Sequence, residues 1–447
     1  MKPKKQKADP NHQLFQQRLE DFLDQRQRLY QLANVLPWER FEQEFEELYS
    51  DIGRPALPIR LMVGLLLLKQ LENLSDERVC EQWSRDPYMQ YFCGETFFQW
   101  KLPCEPSELV HFRERIGSWG MGRIFKATVD LHLDKVSNED ELVVDTTVQE
   151  ANITYPTDSK LRRKCIERLW KLGDDVQVPW RRRYTFTVPK LLRTIRTRSN
   201  RLVKERRKAE RKLKTIAGRL LRDIERHSCK VWQDLNREEL EVIRRVLLQQ
   251  RHDKNKVYSL HDPSVRCIAK GKVHKPYEFG RKASIAMLRD SGVIVSALSF
   301  ADNLYDGDTL WETLTMGQVY SGKRYASALV DKGYRGESEI GGTEVLLPSQ
   351  PKKKLSAYRK KKERKRYARR AAIEPVIGHL KSDHRMARCF LKGAKGSAMN
   401  LLLAASAWNL KKWMNDLLLA LFEWIMGNLH PTSKGYNQSC QQPHMAS

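Results

Sequence analysis

Apolar and polar positions alternate through residues 12–120 in the manner of amphipathic helices. Turn-forming Gly and Pro clusters interrupt this pattern at residues 53–58, 86–87 and 103–106. Pro58 and Ser75 stand where helices typically begin, and they predict one helix from Ile59 and a second after Ser75. The pattern predicts an all-helical N-terminal domain.

A third predicted helix in this region has Ser107 as its N-cap and carries His111, Arg113 and Arg115. Short helices in this order can build a helix-turn-helix module, whose last helix contacts bases or phosphates. A helical domain of this size can equally be a plain packing unit. The sequence leaves both interpretations open.

The pattern then changes to the β-branched segment ELVVDTTVQEANI, which predicts a buried strand with Asp145 near its middle. Strands are also predicted around residues 277–287 and 293–300, joined by a hairpin turn at 289–292. The segment SALVDKGYRG predicts a strand ending at Asp331, and TEVLLPSQ predicts another. We expect a mixed α/β sheet in which the two aspartates lie on neighbouring strands.

Residues 155–256 separate the first predicted strand from the hairpin and have a composition of their own. Between residues 160 and 256 there are 31 Lys and Arg against 12 Asp and Glu, a net charge of +19. Most of the segment has helical periodicity. It is predicted to be a basic helical insertion whose charge contacts phosphates, with a merely solvated helix face as the alternative.

The whole chain of 447 residues has 81 Lys and Arg, 55 Asp and Glu, and a net charge of +26. Such an excess predicts an anionic partner, and nucleic acid is favoured over a membrane surface. A second basic run, PKKKLSAYRKKKERKRYARR, ends just before Glu374 and is a candidate clamp for a DNA backbone. The absence of a G-x-x-x-x-G-K-[ST] motif gives no indication of ATP use.

Apolar stretches at residues 61–68 and 398–410 are shorter than the roughly 20 residues that a membrane-spanning helix needs. The eight cysteines include no C-x-x-C pair, which argues against a zinc finger and favours a reducing, cytoplasmic environment. Residues 1–11 are expected to be a polar tail, and residues 429–447 are expected to be a C-terminal tail.

Four polar residues near the end of the second basic run, Tyr367, Arg370, Glu374 and Lys381, would share one face of an unbroken helix. At about 100° per residue they fall within a stripe of roughly 60°. A carboxylate flanked by a phenol, a guanidinium and an ammonium suits a face that meets a metal ion and a phosphodiester. Pro375 disfavours helical dihedrals at Glu374, so a kink or restart is predicted there. A solvated basic helix is the alternative.

Hydrolysis of a phosphodiester requires an activated nucleophile and charge relief at the attacking and leaving oxygens. Two divalent cations about 4 Å apart can supply both. Such ions prefer carboxylate oxygens. Asp145, Asp331 and Glu374 have the order and contexts expected for two strand ligands and one helix ligand.

The segments VVDTTVQEANITYPTD and LVDKGYRG, together with the Y-(2)-R-(3)-E-(6)-K spacing, resemble bacterial insertion-sequence DDE transposases of the IS-five-type branch. The resemblance implies an RNase H-like, retroviral integrase-like catalytic domain over residues 121–154 and 257–428. It also implies binding to double-stranded DNA at terminal inverted repeats, cut-and-paste transposition through strand transfer into target DNA, and a homo-oligomer in the synaptic complex.

Carried over by motif, the resemblance makes Asp145, Asp331 and Glu374 the catalytic ligands for Mg²⁺, which Mn²⁺ can replace. Tyr367, Arg370 and Lys381 are then expected to contact DNA. Two alternatives stay open: a related nuclease without strand transfer, and a non-catalytic DNA-binding regulator derived from a transposase. For the transposase and for both alternatives, we expect a bacterial cytoplasmic protein that is associated with the nucleoid when it binds DNA.

Overall fold

The computed structural model describes residues 2–3, 17–197, 199–250, 252–269, 275–348 and 356–429. The two predicted tails lie outside the described residues, apart from positions 2, 3 and 429.

The N-terminal part is helical, as predicted, and Ser75 caps a helix by accepting a hydrogen bond from the backbone N–H of Arg78 at 3.2 Å. The cap predicted at Ser107 is wrong, because Pro106 takes the first helical position, where its missing N–H costs nothing. The helices are α1 (Leu19–Phe22), α2 (Arg28–Val35), α3 (Trp38–Glu46), α4 (Ile59–Leu71), α5 (Asp76–Trp83), α6 (Pro87–Phe92), α7 (Pro106–Asp130) and α8 (Leu133–Asn138).

A mixed sheet follows, confirming the predicted α/β class. Its eight described strands are β1 (Glu141–Ala151), β2 (Arg266–Ala269), β3 (Tyr277–Leu288), β4 (Ile294–Phe300), β5 (Ser327–Leu329), β6 (Glu339–Ile340), β7 (Thr343–Leu346) and β8 (Arg388–Cys389). The strand order is β2-β3-β1-β5-β7-β6, with β4 also beside β3 and β8 also beside β1. Strand β1 runs antiparallel to β3 and parallel to β5, so the predicted hairpin and the parallel strands share one sheet.

Four more helices accompany the sheet, and the longest of them is buried over most of residues 396–410. They are α14 (Leu310–Ser321), α15 (Ala357–Ala368), α16 (Ile373–Ser382) and α17 (Gly393–Leu429). Asn409 of α17 joins the helix to β4, because its amide accepts from the backbone N–H of Ile294 and donates to the Ile294 carbonyl, both at 2.9 Å. Within the described chain, no helix has both the length and the apolar character needed to cross a membrane.

The N-terminal helices and the sheet share one continuous hydrophobic core. Helices α4 and α7 both pack on α17. The boundary predicted at residue 120 falls inside α7, three residues after Gly117, whose φ of 58° interrupts the helical backbone. The helical region is therefore fused to the sheet through a common interior.

Residues 155–256 contain a second, separate core. Its helices are α9 (Asp158–Asp175), α10 (Thr187–Arg196), α11 (Val203–His227), α12 (Lys230–Leu235) and α13 (Arg237–Leu248). The chain returns to the sheet through a loop that is fixed by the buried Arg281, which donates to Asp262 at 2.7 Å and to Ser397 at 2.9 Å. This ion pair ties the exit of the insertion to β3 and α17.

The interpretation of Arg113 as a DNA contact is wrong. Its side chain is 3% exposed and donates to both carboxylate oxygens of Asp76, at 2.9 and 2.7 Å. Lys69 lies 2.8 Å from the same carboxylate. Burial alone would raise the pKa of Asp76, but the hydrogen bonds from Arg113 and the charge of Lys69 outweigh it and hold that pKa below its usual range.

We expect Arg113→Ala to lower the free energy of unfolding by about 3–5 kcal/mol, because it leaves a buried carboxylate without its bidentate partner. Denaturant unfolding of the full chain measures this change, and His111→Ala, at an exposed position on the same helix, is the control. Since the Asp76 pKa is lowered, the contribution of this pair is present above the unfolded-state pKa of about 3.9 and disappears as the pH falls through the folded value. A loss below about 1 kcal/mol, the size of an ordinary surface substitution, would contradict the assignment.

Candidate active site

Two of the predicted site residues, Asp145 and Asp331, lie on neighbouring parallel strands. The β1–β5 register pairs Val143 with Leu329, and Asp331 continues in extended conformation, so the two aspartates come level two residues further on. Neighbouring strands are about 4.8 Å apart, which brings the two carboxylates close together. Both residues are half-buried, and they lie at the edge of the sheet where the pairing of β1 with β5 ends.

Local hydrogen bonds fix the direction of each carboxylate. Asp145 Oδ1 accepts from the backbone N–H of Thr146 at 2.8 Å. Asp331 Oδ1 accepts from the backbone N–H of Gly333 at 2.6 Å, which starts a short 3₁₀ turn. Each aspartate is therefore oriented by a backbone N–H that is close to it in sequence.

A third carboxylate, Asp306, reaches the same edge from the loop after β4, and sequence reasoning missed it. Its Oδ1 accepts from the Thr146 hydroxyl at 2.7 Å and from the ammonium of Lys282 at 2.8 Å. Lys282 is only 9% exposed although it sits inside strand β3. A lysine within an otherwise buried strand was the signal that could have indicated an acidic partner.

The segment with the four-residue signature is not one straight helix. Helix α15 ends at Ala368, a 3₁₀ segment covers Arg369–Ala372, and α16 begins at Ile373. The kink or restart predicted at Glu374 and Pro375 does not occur there, because both residues lie within α16; the change of helix type is at Arg369–Ala372. Pro375 lies in the first turn of α16, where a missing backbone N–H leaves no helical hydrogen bond unmade.

The break leaves Arg370 and Glu374 on one face but gives the four residues different surroundings. Arg370 donates to Glu374 at 2.8 Å, and the Glu374 side chain is 61% exposed. Tyr367 packs against the main hydrophobic core, whereas Lys381 is half-buried near the end of α16. In the described part of the chain, no group of three or more His, Cys, Asp or Glu residues is arranged to hold a metal ion. Glu374, the third predicted ligand, is hydrogen-bonded to Arg370 in this structure.

Helix α15 is anchored to the start of β1 through Glu141. Arg366 donates to both Glu141 oxygens, at 2.5 and 3.2 Å, and to the Ser327 hydroxyl at 3.2 Å. Glu141 is four residues, or about 13 Å, before Asp145 along the strand. A groove of about 830 Å³ opens at this place, and its lining is mostly basic: Glu141, Arg289, Asp290, Tyr358, Lys361, Lys365, Arg366 and Arg369.

The fold and this site define a mixed α/β protein with two carboxylates where the pairing of β1 with β5 ends and a basic helix at the start of β1. The family model described as Transposase domain (DUF772) matches residues 17–115, and that described as Transposase DDE domain matches residues 345–414, which include Glu374. An uncharacterized protein, ORF8 in the nfe locus of Rhizobium meliloti, is 40% identical over 189 residues, which cover 41% of this chain and 91% of the relative. No solved structure matches. The chain belongs to the insertion-sequence DDE transposases.

Proposed function

We propose that this transposase cuts and joins DNA at the terminal inverted repeats of its insertion sequence, by a cut-and-paste route that depends on Mg²⁺. The observation that carries the proposal is the level placement of Asp145 and Asp331 on two parallel strands, with Glu374 on helix α16, which lies between β7 and β8 in the segment that matches the Transposase DDE domain. The strand arrangement, an antiparallel group beside parallel β5 and β7, supports an RNase H-like catalytic domain.

The donor set fits a hard divalent cation, since carboxylate oxygens are the ligands that Mg²⁺ prefers. Asp145, Asp331 and Glu374 would hold it, and Glu374 would exchange its contact with Arg370 for the cation. A bound Mg²⁺ supplies an activated water or 3′-OH and relieves charge on the scissile phosphate. Arg370 would then be released toward a phosphate, for which its planar fork of donors is suited.

Two basic surfaces favour DNA as the partner. The groove beside α15 lies at the start of β1, about 13 Å along the strand from Asp145, and α11 of the insertion presents a row of exposed lysines and arginines. Both suit the backbone of double-stranded inverted repeats and of target DNA. Joining two ends requires two copies of the chain, so we infer a homo-oligomer in the synaptic complex, acting at the bacterial nucleoid.

The test is an assay of the purified chain with a labelled duplex that carries the DNA bordering the gene, in the presence of a target plasmid. Nicking at the repeat end followed by joining to the plasmid, in Mg²⁺ or Mn²⁺ only, is the expected result. Cleavage without joining would identify a nuclease, and specific binding without cleavage would identify a regulator. Equal activity in EDTA would reject the metal-dependent mechanism.

A separate prediction concerns the insertion. Replacing four exposed basic residues of α11 (Arg207, Lys208, Arg211 and Lys212) by Gln should weaken DNA binding. It should also make the affinity depend less steeply on salt concentration. For every phosphate that is no longer neutralised, the slope of log affinity against log salt decreases in magnitude by about 0.9, because fewer counterions are released. Fluorescence anisotropy over a salt series measures the slope.

The matched control neutralises four arginines of the insertion that already pair with carboxylates. These pairs are Arg163 with Glu167, Arg168 with Glu239, Arg183 with Asp174, and Arg244 with Glu225. Their replacement should change the slope far less. If the α11 variant keeps the wild-type slope, the insertion does not contact phosphates through this helix.

A further inference from the structure

Asp306 presents its two carboxylate oxygens to different surroundings. The described hydrogen bonds, from Thr146 and Lys282, both go to Oδ1. Oδ2 lies on the side of Gly333. A Cβ on Gly333 would lie 3.2 Å from Asp306 Oδ2 and 2.8 Å from Asp331 Oδ1, so both oxygens lie beside this glycine. Only a residue without a side chain leaves this space between them open.

The buried hydroxyl of Tyr334 is the second feature of this space. Tyr334 is 2% exposed, and its hydroxyl makes no hydrogen bond of good geometry with the residues that the structure describes, although Thr146 is close enough to lower its pKa as a hydrogen-bond partner. Burial raises its pKa well above the usual range, and the negative charges of Asp145, Asp306 and Asp331 add to this effect. A buried hydroxyl without a partner is costly unless a ligand or water completes the site.

Carboxylates that converge without a counter-charge between them repel one another. Lys282 neutralises the Oδ1 side of Asp306, whereas Oδ2 lies beside Gly333, as Asp331 Oδ1 does. A divalent cation between Asp306 Oδ2 and Asp331 Oδ1 would remove the repulsion, and the Tyr334 hydroxyl oxygen or its water would face the same ion. Hard oxygen atoms of this kind suit Mg²⁺ and Mn²⁺.

We propose that Asp306 is a fourth carboxylate of the active site, which binds a divalent cation together with Asp331 while Lys282 and Thr146 hold its other oxygen in place. The proposal rests on the proposed function, because it adds a ligand to the same metal site. It differs from a purely structural role for Asp306, in which the Lys282 ion pair would only fasten the loop after β4 to the sheet.

Direct Mn²⁺ binding distinguishes these roles without measuring activity. Free Mn²⁺ is titrated by electron paramagnetic resonance against the full chain in the absence of DNA. We expect Asp306→Asn, which preserves size and an acceptor for Thr146, to weaken Mn²⁺ binding about tenfold or more. Asp308→Asn, two residues along the same loop and exposed, is the control and should bind as the wild type does.

The Asp145→Asn and Asp331→Asn variants, measured in the same titration, distinguish a failure of the Asp306 proposal from a failure of the proposed function. If both weaken Mn²⁺ binding while folded Asp306→Asn stays within twofold of wild type, the role of Asp306 as a ligand is rejected and the proposed function stands. If neither weakens it, the metal site of the proposed function is itself rejected.

Should Asp306→Asn fail to fold, as judged by thermal unfolding, Gly333→Ala tests the same space. Its added methyl group would occupy the position between the two oxygens, and we expect a similar loss of Mn²⁺ affinity. Wild-type Mn²⁺ affinity in folded Gly333→Ala would overturn the proposal.

Discussion

Asp145→Asn and Asp331→Asn are each expected to abolish cleavage of an end-bearing duplex while leaving DNA binding intact. Each change removes one anionic oxygen from a site that must neutralise a divalent cation, but it keeps the size of the side chain. A loss of several kcal/mol of transition-state stabilisation corresponds to a rate decrease of roughly a thousandfold or more. Because neither residue lies in the basic groove or in α11, affinity for the duplex should change little.

Single-turnover cleavage in Mg²⁺ measures the rate, and anisotropy in Ca²⁺ measures binding. Asp308→Asn serves again as the control, since that carboxylate is exposed and outside the paired strands. Cleavage by either strand variant within tenfold of the wild-type rate would show that these carboxylates do not bind the catalytic metal.

Arg370→Lys is expected to reduce cleavage or strand transfer by up to about 100-fold, with little change in the Mg²⁺ concentration that gives half activity. Lysine keeps the charge but loses the planar fork that can hold a phosphate through two parallel hydrogen bonds. Glu374→Gln, by contrast, should raise the Mg²⁺ requirement strongly, because it alters a proposed ligand. Arg370 and Glu374 are hydrogen-bonded to each other in this structure. Substituting each residue in turn therefore distinguishes a role in phosphate binding from a role in metal binding.

Mg²⁺ titrations of both variants and of Lys381→Ala on one end-bearing duplex make the comparison. Arg324→Lys, at an exposed position in the loop before β5, controls for the substitution itself. If Arg370→Lys shifts the Mg²⁺ requirement at an unchanged maximal rate, Arg370 acts by positioning Glu374, and its assignment as a phosphate contact is wrong.

Much of the fold could be predicted because strands and helices follow from local patterns. The β-branched run around Asp145 and the hairpin at residues 289–292 are confirmed in the sheet. The placement of Asp331 beside Asp145 followed from simple rules of strand connection and is consistent with the observed register. These inferences needed only short stretches of sequence and the constraints of sheet topology.

Two of the failures share one cause, which is that burial of a charged side chain depends on partners far away in sequence. The possible DNA contact of Arg113 is excluded by its partner Asp76, which is 37 residues earlier, on another helix. Asp306 was overlooked because Thr146, which fixes it, is 160 residues earlier. The angular argument for Tyr367 to Lys381 assumed a continuous helix, and the 3₁₀ segment Arg369–Ala372 interrupts it.

The sequence by itself determined the class of protein, the strand that carries Asp145, the position of Asp331 and the basic character of residues 155–256, because each depends on residue type and short-range spacing. Only the tertiary structure decided that the N-terminal helices share a core with the sheet, that Arg113 is buried against Asp76, and that Asp306 contacts Thr146 and Lys282. Those outcomes depend on which distant surfaces pack together, and packing selects among many arrangements that the same local pattern allows.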